Sequence, residues 1–156
     1  MKISANLTLK EVSKSLTATR RGIDNEPKGS HLTALINLAN NVFQPIREHF
    51  GKPIFVSSGY RSPELNKAIG GSKTSQHCKG EAIDIDNDSR EYPSNADIFW
   101  YIYDHLEFDQ MIWEFGDDKN PGWVHVSYKS EGNRKQVLKA SKSKGRTVYT
   151  NFQDNR

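Results

Sequence analysis

The stretch SQHCKGEAIDI, residues 75–85, joins a tight turn to a short strand with one apolar and one polar face. Side chains alternate between the two faces of a strand, so the two isoleucines share the apolar face and Asp84 lies on the polar one. Gly80 allows a tight turn just before the strand, because glycine adopts backbone conformations that other residues avoid. We therefore predict a half-buried strand that presents Asp84, with His77 held near its beginning.

The stretch WVHVS, residues 123–127, predicts a second strand of the same kind. Trp123, His125 and Ser127 share one face of this strand, and the two valines share the other. Each strand thus has an apolar side for the core and a polar side that offers one possible metal ligand.

His77, Asp84 and His125 are the candidate metal ligands. Two imidazoles and one carboxylate are a frequent ligand set for catalytic zinc, because three protein ligands leave a fourth tetrahedral position for water. The metal lowers the pKa of that water toward ~7, which makes hydroxide available to attack an amide. The remaining histidines lie at the ends of predicted helices, where a structural role is expected: His31, His49 and His105.

The N-terminal part of the chain predicts helices. Thr8 and Glu11 form a capping-box pattern that opens a short helix, and residues 17–30 have the glycine, proline and asparagine content of a loop. Apolar residues at helical spacing predict an amphipathic helix over about 30–49, and Pro45 should kink or loosen its last turn.

The remaining elements are strands mixed with short helices. Ile54–Val56 is a strand candidate, Ser62 and Pro63 open a short helix, and residues 95–106 carry a helical apolar stripe. MIWEF and WVHVSY are strands that GDDKNPG joins as a hairpin. The order of elements predicts an α+β fold with a small antiparallel sheet and flanking helices.

Length and composition favour one domain that spans residues 1–156. Cys78 is the only cysteine, so neither an intramolecular disulfide nor a cysteine-rich zinc site is expected. No run reaches the ~18 apolar residues that a membrane span needs, and the N-terminus lacks the apolar segment of a secretory signal. Residues from about 130 onward form a basic tail with seven Lys/Arg and two acids, so the tail carries about +5 and the rest of the chain about −2 of the net charge of +3.

Three segments resemble one family in the same order. SQHCKGEAIDI resembles the Ser-x-His-x-x-Gly-x-Ala-x-Asp signature of the zinc D-alanyl-D-alanine carboxypeptidases and dipeptidases, the LAS-type metallopeptidases. This group includes phage endolysins and shares a fold with the hedgehog signalling domain. SGYRSPELN, residues 58–66, is similar to the family's substrate-binding segment, and WVHVS to its last metal-binding strand. The N-terminal stretch that ends in TATRRGIDNEP looks like the short phage-encoded branch.

The resemblance implies a role for five residues. It makes His77, Asp84 and His125 the zinc ligands, and Arg61 the residue that binds a carbonyl or carboxylate of the substrate. Ser75 would line the site or support the ligands.

The chain departs from the family pattern at the catalytic acid. Many members have Glu-x-x-His before the final ligand, but Gly122 occupies that position here. The nearest acids are Glu114, Asp117 and Asp118. Glu114 interrupts an otherwise apolar strand, which is costly unless its carboxylate faces a polar site or solvent, so we rank it first as the general base.

The expected function is hydrolysis of bacterial peptidoglycan by a zinc peptidase, either a DD-carboxypeptidase or an endopeptidase, in phage lysis. We expect a monomer that is made in the cytoplasm and acts on the cell wall after release. A hedgehog-like binding module that retains metal without catalysis is the alternative, because of Gly122. A nucleic-acid partner is not expected, since only the basic tail would favour one and no recognition motif accompanies it.

Overall fold

The computed structural model describes residues 1–156 and shows the predicted α+β fold, in which helices flank a six-stranded sheet. The helices are α1 (Leu9–Ser13), α2 (Leu16–Arg21), α3 (Ser30–Leu38), α4 (Gln44–Phe50), α5 (Pro63–Ala68) and α6 (Asn95–His105). The strands are β1 (Lys2–Ser4), β2 (Leu7–Thr8), β3 (Val56–Ser58), β4 (Ala82–Ile85), β5 (Gln110–Glu114), β6 (Trp123–Ser127), β7 (Gln136–Ser143) and β8 (Arg146–Asn151). None of the helices is long and apolar enough to cross a membrane.

The large sheet has the strand order β3-β4-β6-β5-β7-β8, and β1 and β2 form a separate pair. All neighbours in the large sheet are antiparallel except β5 and β7, which are parallel. β5 and β6 form the predicted hairpin. The sheet is therefore mixed rather than purely antiparallel.

The region that the sequence analysis treated as a tail contributes two strands to this sheet. β7 pairs with β5, and β8 pairs with β7 in an antiparallel hairpin. Phe152 follows β8 and packs against Phe99 and Trp113, with ring centroids 4.9 and 5.7 Å apart. This packing holds the end of the hairpin against the core.

The N-terminal helices differ in part from the prediction. The capping box of Thr8 and Glu11 is present at α1. The expectation of a loop over 17–30 is wrong for its first residues, which belong to α2. The side chain of Ser15 caps the start of α2, and Gly22 ends it in a left-handed conformation.

The long amphipathic helix is interrupted before Pro45 rather than after it. Residues Ala39–Phe43 form a π-helical segment between α3 and α4. Pro45 lies in the first turn of α4, where its missing N–H removes one bond to the preceding turn. The last turn, where the sequence analysis placed the disturbance, is regular α-helix.

The core lies between one face of the sheet and the helices. Its sheet side consists of alternate residues on the three central strands: Ile83, Ile85, Met111, Trp113, Val124 and Val126. Its helix side includes buried residues of α3, α4 and α6 and of the π-helical segment: Leu35, Leu38, Val42, Phe43, Ile46, Ile98, Phe99 and Ile102. Because side chains alternate along a strand, the same central strands turn their other residues to the opposite face.

Candidate metal centre and its cleft

Three possible ligands meet on the face of the sheet opposite the core. Asp84 and His125 are direct partners across β4 and β6. Asp84 Oδ1 lies 3.0 Å from His125 Nδ1 and 3.4 Å from His77 Nε2. The ligand atoms of the three residues all lie within 4.8 Å of one another. This separation is suited to the sharing of one metal ion.

His77 reaches the site from a short 3₁₀ turn, Gln76–Lys79, which Ser75 caps. His77 Nδ1 lies 2.7 Å from the carbonyl oxygen of Gly59. A carbonyl only accepts hydrogen bonds, so Nδ1 carries the proton and Nε2 is left with a free lone pair toward Asp84. The backbone thus selects the tautomer that a metal ligand requires.

Two glycines make this arrangement possible. Gly80 ends the turn with φ +74°, and a Cβ there would lie 2.2 Å from the carbonyl oxygen of His31. A Cβ on Gly59 would lie 2.2 Å from the carbonyl oxygen of Val12. Any side chain at either position would push the ligand-bearing segment out of place.

The chemistry of the donor set fits zinc, because two neutral imidazole nitrogens and a carboxylate oxygen are its common ligands. Burial opposes ionisation of Asp84, but the hydrogen bond from His125 and the adjacent His77 ring outweigh it and hold the pKa of that carboxyl well below its usual range. Asp84 is therefore ionised at neutral pH, as a ligand must be. Cys78, next to His77, is buried and does not belong to the group.

Glu114 lies on the same face of the sheet as the three possible ligands and lines the cavity that they border. The residue is 7% exposed. Burial and the neighbouring Asp84 carboxylate raise its pKa to about 7, against the opposing effect of His77. A carboxyl group with a pKa near neutrality is suited to accept and return a proton.

The other two candidate bases lie away from this cavity. Asp117 accepts hydrogen bonds from the backbone N–H groups of Lys119 and Asn120 within the hairpin loop. Asp118 is exposed and pairs with Lys139 at 2.9 Å. Neither aspartate is among the residues that line the cavity.

Arg61 and Ser75 border the same cavity. Arg61 Nη2 donates to Ser75 Oγ at 3.1 Å, and the backbone N–H of Arg61 donates to the carbonyl oxygen of His77. Arg61 Nε is buried and has no partner within the protein. The guanidinium is thus oriented by Ser75 and retains free donors.

The comparison with known families agrees with this geometry. Residues 5–127 match the family model of peptidase M15. The chain belongs to the peptidase M15 family. A comparison with curated proteins gives no match. Members of the M15 family are zinc-dependent metallopeptidases, and the matched region contains every residue that the sequence analysis assigned to the site.

In this M15 peptidase, Gly122 occupies the position of the family's catalytic acid and lies beside Glu114 on the neighbouring strand. Gly122 N–H donates to the carbonyl oxygen of Glu114 at 2.8 Å, so the two residues are neighbours across the hairpin. Glu114 reaches the cavity from β5, whereas the family pattern has its acid at the start of the last metal-binding strand.

The cavity extends beyond the residues that the sequence analysis found. It has a volume of about 720 Å³, and its lining includes five residues that follow the matched region: Lys129, Arg134, Leu138, Thr147 and Tyr149. Lys144 and Gly145 both have positive φ and form the two-residue turn between β7 and β8. The hairpin could have been predicted from the sequence, because Gly145 lies in a short turn between two runs rich in β-forming residues.

Proposed function

We propose that this M15 peptidase hydrolyses peptide bonds of bacterial peptidoglycan, and that His77, Asp84 and His125 hold its zinc ion. The observation that carries the proposal is the convergence of His77 Nε2, Asp84 Oδ1 and His125 Nδ1 in a cavity that Glu114 also lines. When bound, zinc supplies Lewis-acid chemistry, which polarises a carbonyl group and makes water more acidic.

Arg61 binds and orients the substrate in this proposal. Its fork of donors matches a carbonyl or carboxylate oxygen. The hydrogen bond from Nη2 to Ser75 supports this role, because it positions the guanidinium at the wall of the cavity.

Glu114 moves the protons. Its carboxylate takes a proton from the water molecule as the water oxygen attacks the scissile carbonyl carbon. The same carboxyl group then returns the proton to the leaving nitrogen as the C–N bond breaks. The position of Glu114, buried at the wall of the cavity, supports this exchange.

We further propose that the substrate is the peptide portion of the cell wall and that the reaction is a DD-carboxypeptidase or endopeptidase cleavage in phage lysis. The resemblance of SQHCKGEAIDI, SGYRSPELN and WVHVS to D-alanyl-D-alanine peptidases supports this substrate. The protein would act as a monomer on the wall after its release from the cytoplasm.

Mass spectrometry of purified peptidoglycan after incubation with the zinc-loaded protein tests the proposal. New fragments with masses that match cleavage of a peptide bond would support it, and their masses identify the bond. Tight zinc binding without any new fragment would refute peptidoglycan hydrolysis and favour the hedgehog-like binding module that Gly122 suggested.

A further inference from the structure

The β7–β8 hairpin lies next to the strand that bears Glu114, and it falls outside the region matched to the M15 family. Glu114 is the register partner of Ala140 on β7, and Ala140 is the partner of Tyr149 on β8. Directly paired residues share a face of a sheet. Glu114, Ala140 and Tyr149 therefore form one row on the face that carries the metal centre.

Ala140 is the short side chain in the middle of this row. Its methyl group is fully buried, and the two longer side chains on either side of it, Glu114 and Tyr149, both line the cavity. The Tyr149 hydroxyl makes no hydrogen bond within the protein, and the residue is 55% exposed. The Tyr149 phenol is thus free to donate a hydrogen bond at the cavity wall. It lies on β8, which is separated from the Glu114 strand by β7.

Tyr149 remains a hydrogen-bond donor at neutral pH. Partial burial raises its pKa, and the carboxylates of Glu114 and Asp84 raise it further.

The hairpin is held in place by contacts at several points. Lys139 on β7 pairs with Asp118 of the β5–β6 loop, and Lys142 lies over the ring of Phe115 at 5.5 Å. Phe152 anchors the end of β8 in the aromatic core. These contacts attach the hairpin to the rest of the fold beside the cavity.

We infer that the β7–β8 hairpin forms the second wall of the substrate cleft and that the Tyr149 hydroxyl donates a hydrogen bond to a carbonyl oxygen of the bound peptide. This inference rests on the proposed peptidase function. It assigns substrate binding to a part of the chain that lies beyond the M15 match.

Replacement of Tyr149 by phenylalanine tests the inference, because it removes the hydroxyl and keeps the ring. The probe is a soluble pentapeptide that ends in D-alanyl-D-alanine. We expect kcat/KM for Tyr149→Phe to fall roughly tenfold, which is the effect of about one hydrogen bond. Zinc content and thermal stability should be unchanged.

Two control variants separate this effect from general perturbation. Tyr92→Phe makes the same chemical change at a tyrosine that is 51% exposed and does not line the cavity. Val148→Thr changes the adjacent residue of β8, which lies on the opposite face of the strand. Both controls should retain the kcat/KM of the wild type.

A binding measurement distinguishes failure of the inference from failure of the proposed function. Calorimetry with zinc-loaded Glu114→Gln protein, with and without Tyr149→Phe, measures the Kd for the same peptide without turnover. Weaker binding of the peptide after Tyr149→Phe supports the inference, whether or not the wild type cleaves the peptide. If the wild type binds the peptide but does not cleave it, the peptidase proposal fails for this substrate. Equal Kd and equal kcat/KM with and without the hydroxyl would overturn the inference, and absence of both binding and cleavage in the wild type would overturn both.

Discussion

Glu114 pairs with Trp123 across the β5–β6 hairpin, and Ile112 takes the position opposite His125. Glu114 is therefore offset by two residues from the position directly opposite His125. Because the side-chain period of a strand is two, this offset keeps Glu114 on the face that carries the candidate metal ligands. The carboxyl group is diagonal to His125 and lies along the wall of the cavity.

Glu114→Gln should reduce turnover by roughly 100-fold or more, because general acid–base catalysis contributes about 10² to 10⁴ in rate. The amide keeps the shape of the side chain but cannot accept the proton, so zinc should still bind. Steady-state kinetics and elemental analysis of the same sample provide the two measurements.

Asp117→Asn and Asp118→Asn are the matched controls, since both aspartates lie in the hairpin loop away from the cavity. They should retain near-normal turnover. If either loop variant loses activity while Glu114→Gln keeps it, the proton is carried by a different acid.

Arg61→Lys should lower kcat/KM by roughly 10-fold or more while zinc content stays unchanged. Lysine keeps the positive charge but loses the planar fork that can bind Ser75 and a substrate oxygen together. Arg90→Lys, at an exposed position outside the cavity, is the control for the same substitution. Equal kinetics for the two lysine variants would exclude a role for the Arg61 guanidinium.

Asp109 should make the stability of the fold dependent on acid pH. The carboxylate is fully buried, and hydrogen bonds from the side chain and backbone of Arg134 and from Gln76 lower its pKa from 3.8 to about 2. A carboxyl group with a lowered pKa stabilises the fold above its unfolded pKa and loses that contribution as pH falls through the folded value. The loss should therefore occur between about pH 4 and pH 2.

Chemical denaturation over this pH range measures the effect. Asp109→Asn should lower the free energy of unfolding at pH 7 by roughly 2 kcal/mol, which corresponds to the size of the pKa shift. The difference from the wild type should shrink below pH 4. Glu107→Gln changes an exposed neighbour and should have little effect at any pH. A constant difference down to pH 2 would show that the ion pair is not its source.

Local patterns were sufficient to predict which residues meet at the candidate metal centre. The alternation of AIDI and WVHVS separates core residues from Asp84 and His125, and Gly80 marks the turn that delivers His77. The ligand set therefore depends on periodicity within short segments. These signals are readable without knowledge of the tertiary structure.

Long-range pairing could not be predicted in the same way. The residue that pairs with Glu114 depends on the conformation of the β5–β6 loop. A shift of two residues leaves every side chain on the same face of the sheet, so the alternation of apolar and polar residues cannot distinguish the two registers. The parallel pairing of β7 with β5 joins segments that no short turn connects, so the cavity-lining role of Tyr149 had no local signal. At α2, the capping residues Ser15 and Gly22 were present but were outweighed by the loop-like composition that follows.

The zinc content of the purified protein, measured together with its peptidoglycan hydrolysis, tests the central claim most directly. Elemental analysis should find about one zinc ion per chain. His77→Ala, Asp84→Ala and His125→Ala should each lose both the metal and the activity, while His105→Ala, outside the centre, should lose neither. Chelation should also lower the stability of the wild type, because metal binding is linked to folding. Absence of a stoichiometric metal from the native protein, or full hydrolysis by a metal-free ligand variant, would contradict the account.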